Sequence, residues 1–395
     1  MTSASTPVAR LVLVAGAVLV ALGEVPRLVE PDRIAWTVPL DAFFHSSAVG
    51  GTLVLTGLAF VATTALLTAR GAGRTAPLFT LVSILAPLWI LQVVVLGAVM
   101  VARTLDTLAP PSNLTGGVWS SVLTFRWNFW ITDNMLAIPA ELLGLALLSI
   151  AAQLLVLVAA AVVVLPSRWN RVVLGWAAVL AAVVVVALRV RVVGAQDPYV
   201  LLLDTFARSD AFFLGVAVAC AVGSGRRVGP SASNAALVVI VGAVLASGFV
   251  STEQQLVLQL PVTALLASFA LLDPGVDVGD WILEHAMRSR GVELLAPMWA
   301  PVLVCTTPAA VIIGRRTEMH WVLRVIVLLI VLAIVVRVAR SVAGRVRLPQ
   351  GPIGLTSLAD TWRRVVAEAD AEVRDGRRAR PSRSGDDEIG GRGAG

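Results

Sequence analysis

Asp204-Thr-Phe-Ala-Arg208-Ser-Asp210-Ala-Phe-Phe-Leu-Gly215 is the stretch on which the reading of this chain turns. It sets two acids and one arginine at the mouth of an apolar run that ends near Val222. An ionisable group at membrane depth costs roughly 2.5–3.5 kcal/mol on insertion scales, so it faces protein or a wet cavity rather than lipid. Asp204 and Arg208 are four positions apart and share a helix face; Asp210 lies off that face but close to Arg208. Two readings follow. One is an interfacial ion pair that ends a helix. The other is a polar site entered from one side of the membrane, in which Asp204, Arg208 and Asp210 meet a ligand.

The composition around this stretch points the same way. Of 395 residues, 57% are hydrophobic and 14% charged, where a soluble domain has roughly 45–50% and about 25%. The expected fold class is all-α, a polytopic membrane helix bundle. The net charge of +6 comes from arginine, with no lysine at all. Those arginines sit in short loops and the tail, a distribution that argues against a nucleic-acid partner. Cys220 and Cys305 lie within apolar runs and read as small buried residues, not as a disulfide or metal pair. Three histidines without a Cys/His cluster give no metal motif.

About ten apolar segments are long enough, or nearly so, to cross a bilayer. They fall near 9–23, 46–68, 77–102, 137–165, 171–190, 209–223, 234–250, 256–272, 294–313 and 320–340. The first has a rival reading, because Arg10, the run Leu11–Leu22 and Ala21-Leu22-Gly23 resemble a secretory signal with a small-residue cleavage site. Arginine placement orients the rest. With the N-terminus in the cytoplasm, Arg70, Arg74, Arg168, Arg171, Arg226, Arg227, Arg340, Arg345 and Arg347 fall inside. The outer loops carry mixed charge, such as Glu24, Arg27, Glu30, Asp32 and Arg33. Arg315 and Arg316 break the pattern by landing outside. Residues 1–349 form the membrane domain and 350–395 a cytoplasmic tail. Within that tail, Leu355–Val373 has helical apolar spacing suited to a membrane surface. From Asp375 its Arg/Gly/Ser/Asp mixture reads as disordered.

Three other features carry polar chemistry. The loop near 103–136 gathers Trp119, Trp127 and Trp130 around Phe125, Arg126 and Phe129. This is either an aromatic belt at headgroup level or a sugar- or lipid-stacking platform in which Trp127 binds substrate. Glu141 opens the fourth span, either as a solvated helix-start acid favoured by the dipole or pointing into the bundle. Gln153, Gln259 and Pro261 lie deeper, and the glutamines are expected to make interhelical hydrogen bonds. The 273–293 connection reads as a cytoplasmic loop with a short amphipathic helix from Trp281.

In order along the chain, these segments resemble the acyltransferase-3 family of ten-span membrane O-acyltransferases over about residues 9–349. Phe206-Ala-Arg208-Ser-Asp210-Ala-Phe-Phe-Leu-Gly215 is similar to the family's Thr-Arg-x-Asp-x-x-x-x-Gly. Leu55-Thr56-Gly57 is similar to Leu-Ser-Gly, and Ile138-Pro-Ala-Glu141 to Ser-Leu-x-x-Glu. Pro301-Val302 matches the close of Leu-Trp-His-Trp-Pro-Val. The resemblance implies a bacterial plasma membrane protein with both termini cytoplasmic. It also implies membrane lipid and envelope-biogenesis proteins as partners, and no tightly bound cofactor. An active member would take an acyl donor such as acyl-CoA.

The departures from the family fall on its chemistry. Where the family has a histidine ten residues after its first-span arginine, this chain has Ala21, which cannot accept a proton. Trp299 stands in place of the ninth-span histidine and becomes a candidate substrate contact. His45 and Glu141 are the remaining candidates for a catalytic base. His285, in a charged loop, and His320, beside Trp321, are weaker ones. The resemblance therefore implies a degenerate, non-catalytic relative that binds acyl or lipid groups. The alternative is an active O-acyltransferase in which Arg208 holds the donor's anionic group and Asp210 orients it. An unrelated permease would need an internal repeat, and the sequence shows none.

Overall fold

A computed structural model describes residues 5–29, 38–105, 116–134, 139–166, 169–196, 198–226, 230–272, 299–316 and 318–345. The tail 350–395, the helix expected from Trp281, and His285 lie outside the described residues. So do Pro110-Pro111 and Ile138.

The described chain is all helical. The helices in order are α1 (Ser5–Leu22), α2 (Val25–Val29), α3 (Val38–Ala72), α4 (Ala76–Leu105), α5 (Gly116–Leu123) and α6 (Trp127–Asp133). A 3-10 turn, Ala140–Leu142, leads into α7 (Leu145–Val164), followed by α8 (Asn170–Val192), α9 (Pro198–Leu203), α10 (Thr205–Gly223) and α11 (Pro230–Ala246). The chain continues through α12 (Thr252–Gln254), α13 (Leu260–Leu271), α14 (Trp299–Gly314) and α15 (Trp321–Arg345). The run Val183–Val186 in α8 would suit a strand in water. In hydrocarbon each backbone N–H and C=O needs a partner within its own segment, and the helix supplies it.

Eight stretches are long and apolar enough to cross a membrane: Val8–Val29, His45–Ala72, Ala76–Leu105, Leu145–Val164, Asn170–Val192, Thr205–Gly223, Thr252–Leu271 and Trp321–Val338. Two further apolar helices, Ala235–Phe249 and Trp299–Gly314, are shorter. This is the architecture of a multi-pass helical membrane protein. The ten apolar segments of the sequence thus divide into eight full-length helices and two short ones.

The core centres on α3, which packs against α1, α4, α7, α10 and α13. Small residues let the backbones meet. A Cβ on Gly16 would lie 2.7 Å from the Gly50 carbonyl oxygen, and one on Gly50 would lie 2.6 Å from that of Gly16. α3 and α10 touch in the same way, since a Cβ on Gly215 would come within 2.3 Å of the Thr56 carbonyl. Thr56 Oγ1 donates to the Ala211 carbonyl at 3.1 Å across this crossing. Contacts between small residues and a hydroxyl bond stand in for the hydrophobic drive that lipid removes.

Other expected polar roles are visible. Gln259 Nε2 donates to the Ala243 carbonyl of α11 at 2.6 Å. Pro261 sits in the first turn of α13 behind a π-helical stretch, Gln255–Gln259. A proline there offers no N–H to the carbonyl four residues back, so the register loosens to the wider turn.

The two ends of this argument are testable on glycines. Gly215→Val should destabilise the bundle by about 1–3 kcal/mol, the range for overpacking. Gly97→Ala, where nothing lies within 4 Å, should be neutral or slightly stabilising. Thermal unfolding of the two variants in detergent checks the contrast.

Candidate polar site at one end of the bundle

The opening stretch folds as the N-terminal half of α10. Asp204 is its N-cap, and its side chain accepts from the Phe206 backbone N–H at 2.9 Å. That use of a carboxylate satisfies one of the helix's free donors. It also turns Asp204 toward its own backbone rather than toward Arg208.

Arg208 and Asp210 are both buried, and they do not pair with each other. Two positions apart on a helix is about 200° around its axis, so the side chains leave in different directions. Asp210 meets α8, where Arg189 Nη2 donates to its Oδ2 at 2.6 Å. Arg189 Nη1 also donates to the Ala207 carbonyl at 2.7 Å. Arg208 turns toward α3 instead. Its Nη2 donates to the Ala48 carbonyl at 2.8 Å and to Thr52 Oγ1 at 3.3 Å. A Cβ on Gly51 would stand 2.9 Å from that same nitrogen, so the glycine leaves room for the guanidinium. The ion pair that forms in this stretch joins Asp210 to Arg189 of α8.

Beside Arg208 lies a cavity of about 140 Å³. Its polar lining is Arg208, Glu24, Ser47 and Thr307, with Gly51 between; Val20, Leu143, Leu147, Ile150 and Leu303 are among its apolar walls. α9 contributes Leu202 and Leu203. Glu24, which the sequence suggested was a loop charge, is buried. Its Oε1 accepts from Thr307 Oγ1 at 2.8 Å. Arg27 Nε lies 2.8 Å from Oε2, yet neither atom counts as hydrogen-bonded. The contact is a charge pair without hydrogen-bond alignment.

Glu141 points into the bundle and is fully buried. It precedes the membrane-spanning part of its segment, which begins at Leu145. Two guanidinium groups hold it. Arg103 donates through Nε at 3.0 Å and Nη2 at 2.8 Å, and Arg315 Nη2 donates to Oε1. Burial alone would raise its pKa. The bonds from Arg103, the backbone and Arg315 outweigh burial and hold the carboxyl below its ordinary value. A carboxylate held this way is a weak proton acceptor. Arg315, the exception to the arginine rule, is therefore a counter-ion inside the protein. Arg324 is a further buried arginine near it in sequence, donating to the Met319 and Leu28 carbonyls at 2.9 and 2.8 Å.

His45 is half-buried in the early part of α3. Its carbonyl accepts from Gln255 Nε2 at 2.8 Å. The cavity lining includes Ser47 but neither His45 nor any other histidine of the described residues. Trp299 opens α14, half-buried against the core, one turn before Leu303. Trp127 is fully buried, stacks on Trp130 at 5.0 Å, and donates from Nε1 to the Leu142 carbonyl at 2.7 Å. It is not an exposed stacking face. The short helices α5 and α6 carry it into the core.

A closed polar network pins these helices. Gln153 Nε2 donates to the Phe125 carbonyl at 2.6 Å and to Asn128 Oδ1 at 2.8 Å. Gln153 Oε1 accepts from Thr205 Oγ1 at 2.9 Å, and Asn128 Nδ2 donates to the same hydroxyl. Phe125 has φ of 55°, a left-handed conformation that is uncommon for any residue but glycine. The interhelical role expected of Gln153 is present, and it extends to this turn.

Comparison with known proteins finds no matching family model, no matching curated protein and no matching solved structure.

Two expectations follow. Asp210→Asn should cost about 3–5 kcal/mol by leaving Arg189 buried without its counter-ion, and Asp210→Leu with Arg189→Met should recover much of that loss. A double-mutant cycle on unfolding in detergent measures both. For Glu141, whose folded pKa is depressed, the stabilisation is fully present above the ordinary value of 4.5 and is lost as pH falls through the lower folded value. Melting temperature should therefore fall on acidification below about pH 4.5, more steeply in the parent protein than in Glu141→Gln.

Proposed function

We propose that this chain is an acyltransferase-3-like membrane protein that has lost its catalytic base and binds an acyl or lipid group. The observation that carries the reading is the make-up of the Arg208 cavity. It combines apolar walls with a buried guanidinium, and no histidine of the described residues lines it. A guanidinium carries five N–H donors. Arg208 places only Nη2 on protein acceptors, which leaves Nη1 and Nε without a partner among the described residues. The resemblance sets Ala21 and Trp299 where the family has histidine. Ala21 adjoins Val20, and Trp299 is one turn from Leu303. Neither alanine nor indole can take a proton from a hydroxyl.

In this reading the protein sits in a bacterial plasma membrane with both termini cytoplasmic, and the two shorter helices bring the crossings to ten. Its partners are membrane lipid and other proteins of envelope biogenesis. The second reading, an active O-acyltransferase using acyl-CoA, has one observation in its favour: His45 precedes the cavity residue Ser47 by two positions.

Purified protein offered a labelled acetyl donor and envelope extract should transfer no label above background, and His45→Ala should behave identically. Transfer that His45→Ala abolishes would establish the enzyme and end the non-catalytic reading.

A further inference from the structure

The cavity differs from a plain acyl pocket in carrying two buried ionisable side chains. Arg189 and Asp210 cancel each other at 2.6 Å, so Arg208 leaves one uncompensated positive charge at its wall. Glu24, also buried, lines the same space and lies against Arg27. Its side chain is 10% exposed, and its Oε2 accepts no hydrogen bond. Ser47 and Thr307 add hydroxyls. The Nη1 and Nε donors of Arg208 have no partner among the described residues, and a ligand that completes such buried groups gains affinity.

From this arrangement we infer that the cavity takes the headgroup of a lipid with a single phosphodiester charge that also bears a hydroxyl or ammonium donor. The inference rests on the reading of the cavity as an acyl- or lipid-binding site and adds which lipids it selects. A single phosphodiester charge matches the single unpaired guanidinium, whose free Nη1 can donate to a phosphate oxygen. The donor at the end of the headgroup meets the Glu24 carboxylate. The first carbons of the chains lie along Val20, Leu147, Ile150 and Leu303. Phosphatidylglycerol supplies the donor as a hydroxyl and phosphatidylethanolamine as an ammonium. Phosphatidylcholine has the phosphate without the donor, and diacylglycerol has a glycerol hydroxyl without the phosphate.

The test is native mass spectrometry of the full chain in detergent, titrated with these four lipids carrying identical acyl chains. Phosphatidylglycerol, phosphatidylethanolamine or both should bind about tenfold or more tightly than phosphatidylcholine, and diacylglycerol should bind weakest. If only one of the first two does so, the donor is identified. Arg208→Gln should bring every phospholipid to the diacylglycerol level. Glu24→Gln, which keeps an acceptor for Thr307, should erase the advantage over phosphatidylcholine and leave phosphatidylcholine binding unchanged. The ranking on the parent protein stands even if a variant fails to fold. Equal binding of phosphatidylcholine and the donor-bearing lipids would overturn the role of Glu24. Equal binding of diacylglycerol would overturn that of Arg208. Acyl transfer by the protein would end the non-catalytic reading without touching the ranking, whereas failure to bind any of the four lipids would end both.

Discussion

Arg189 and Asp210 meet at a depth where neither charge would be stable alone. The cost of removing two ions from water is met only when geometry and further hydrogen bonds satisfy both. Here the second nitrogen of Arg189 reaches the Ala207 carbonyl, so the guanidinium spans almost a full turn of α10. That contact fixes the rotation of α10 about its own axis. With Asp210 facing α8, Arg208 must face α3, and Gly215 must lie against Thr56. The position of the cavity, the exposure of Arg208 within it and the close crossing of α3 and α10 all follow from this one setting.

Much of the architecture was legible in the sequence, because apolar run length is a local property. Each segment read from composition corresponds to an apolar helix, and the interhelical roles of Gln153 and Gln259 follow from a polar amide deep in hydrocarbon. Partner choice was less legible. Asp210 and Arg208 are neighbours in sequence, yet the helix turns them apart. The partner of Asp210 is Arg189, in the last turn of the helix before it. Glu24 gave no local sign of burial, since its partner Thr307 lies 283 positions away.

The arginine count shows the same limit. The positive-inside rule assumes that arginines are solvated or at the lipid headgroups. Arg315 is bonded to Glu141, and Arg324 to the carbonyls of Met319 and Leu28. Neither is a loop charge in the sense the rule requires. Likewise the tryptophans near 119–130 were judged as surface aromatics because the stretch lies between spans. Two short helices and the Gln153 clamp on Phe125 instead bring Trp127 into the core.

The long reach of these pairings bears on biogenesis. A chain enters the membrane from its N-terminus onward, so early helices arrive before their late partners exist. Arg189 finds Asp210 within 21 residues, almost at once. Glu141 obtains Arg103 early but waits 174 residues for Arg315, and Glu24 waits still longer for Thr307. Both late partners belong to α14 or the turn that follows it. The cavity wall that Leu303 and Thr307 supply is complete only when this late segment docks.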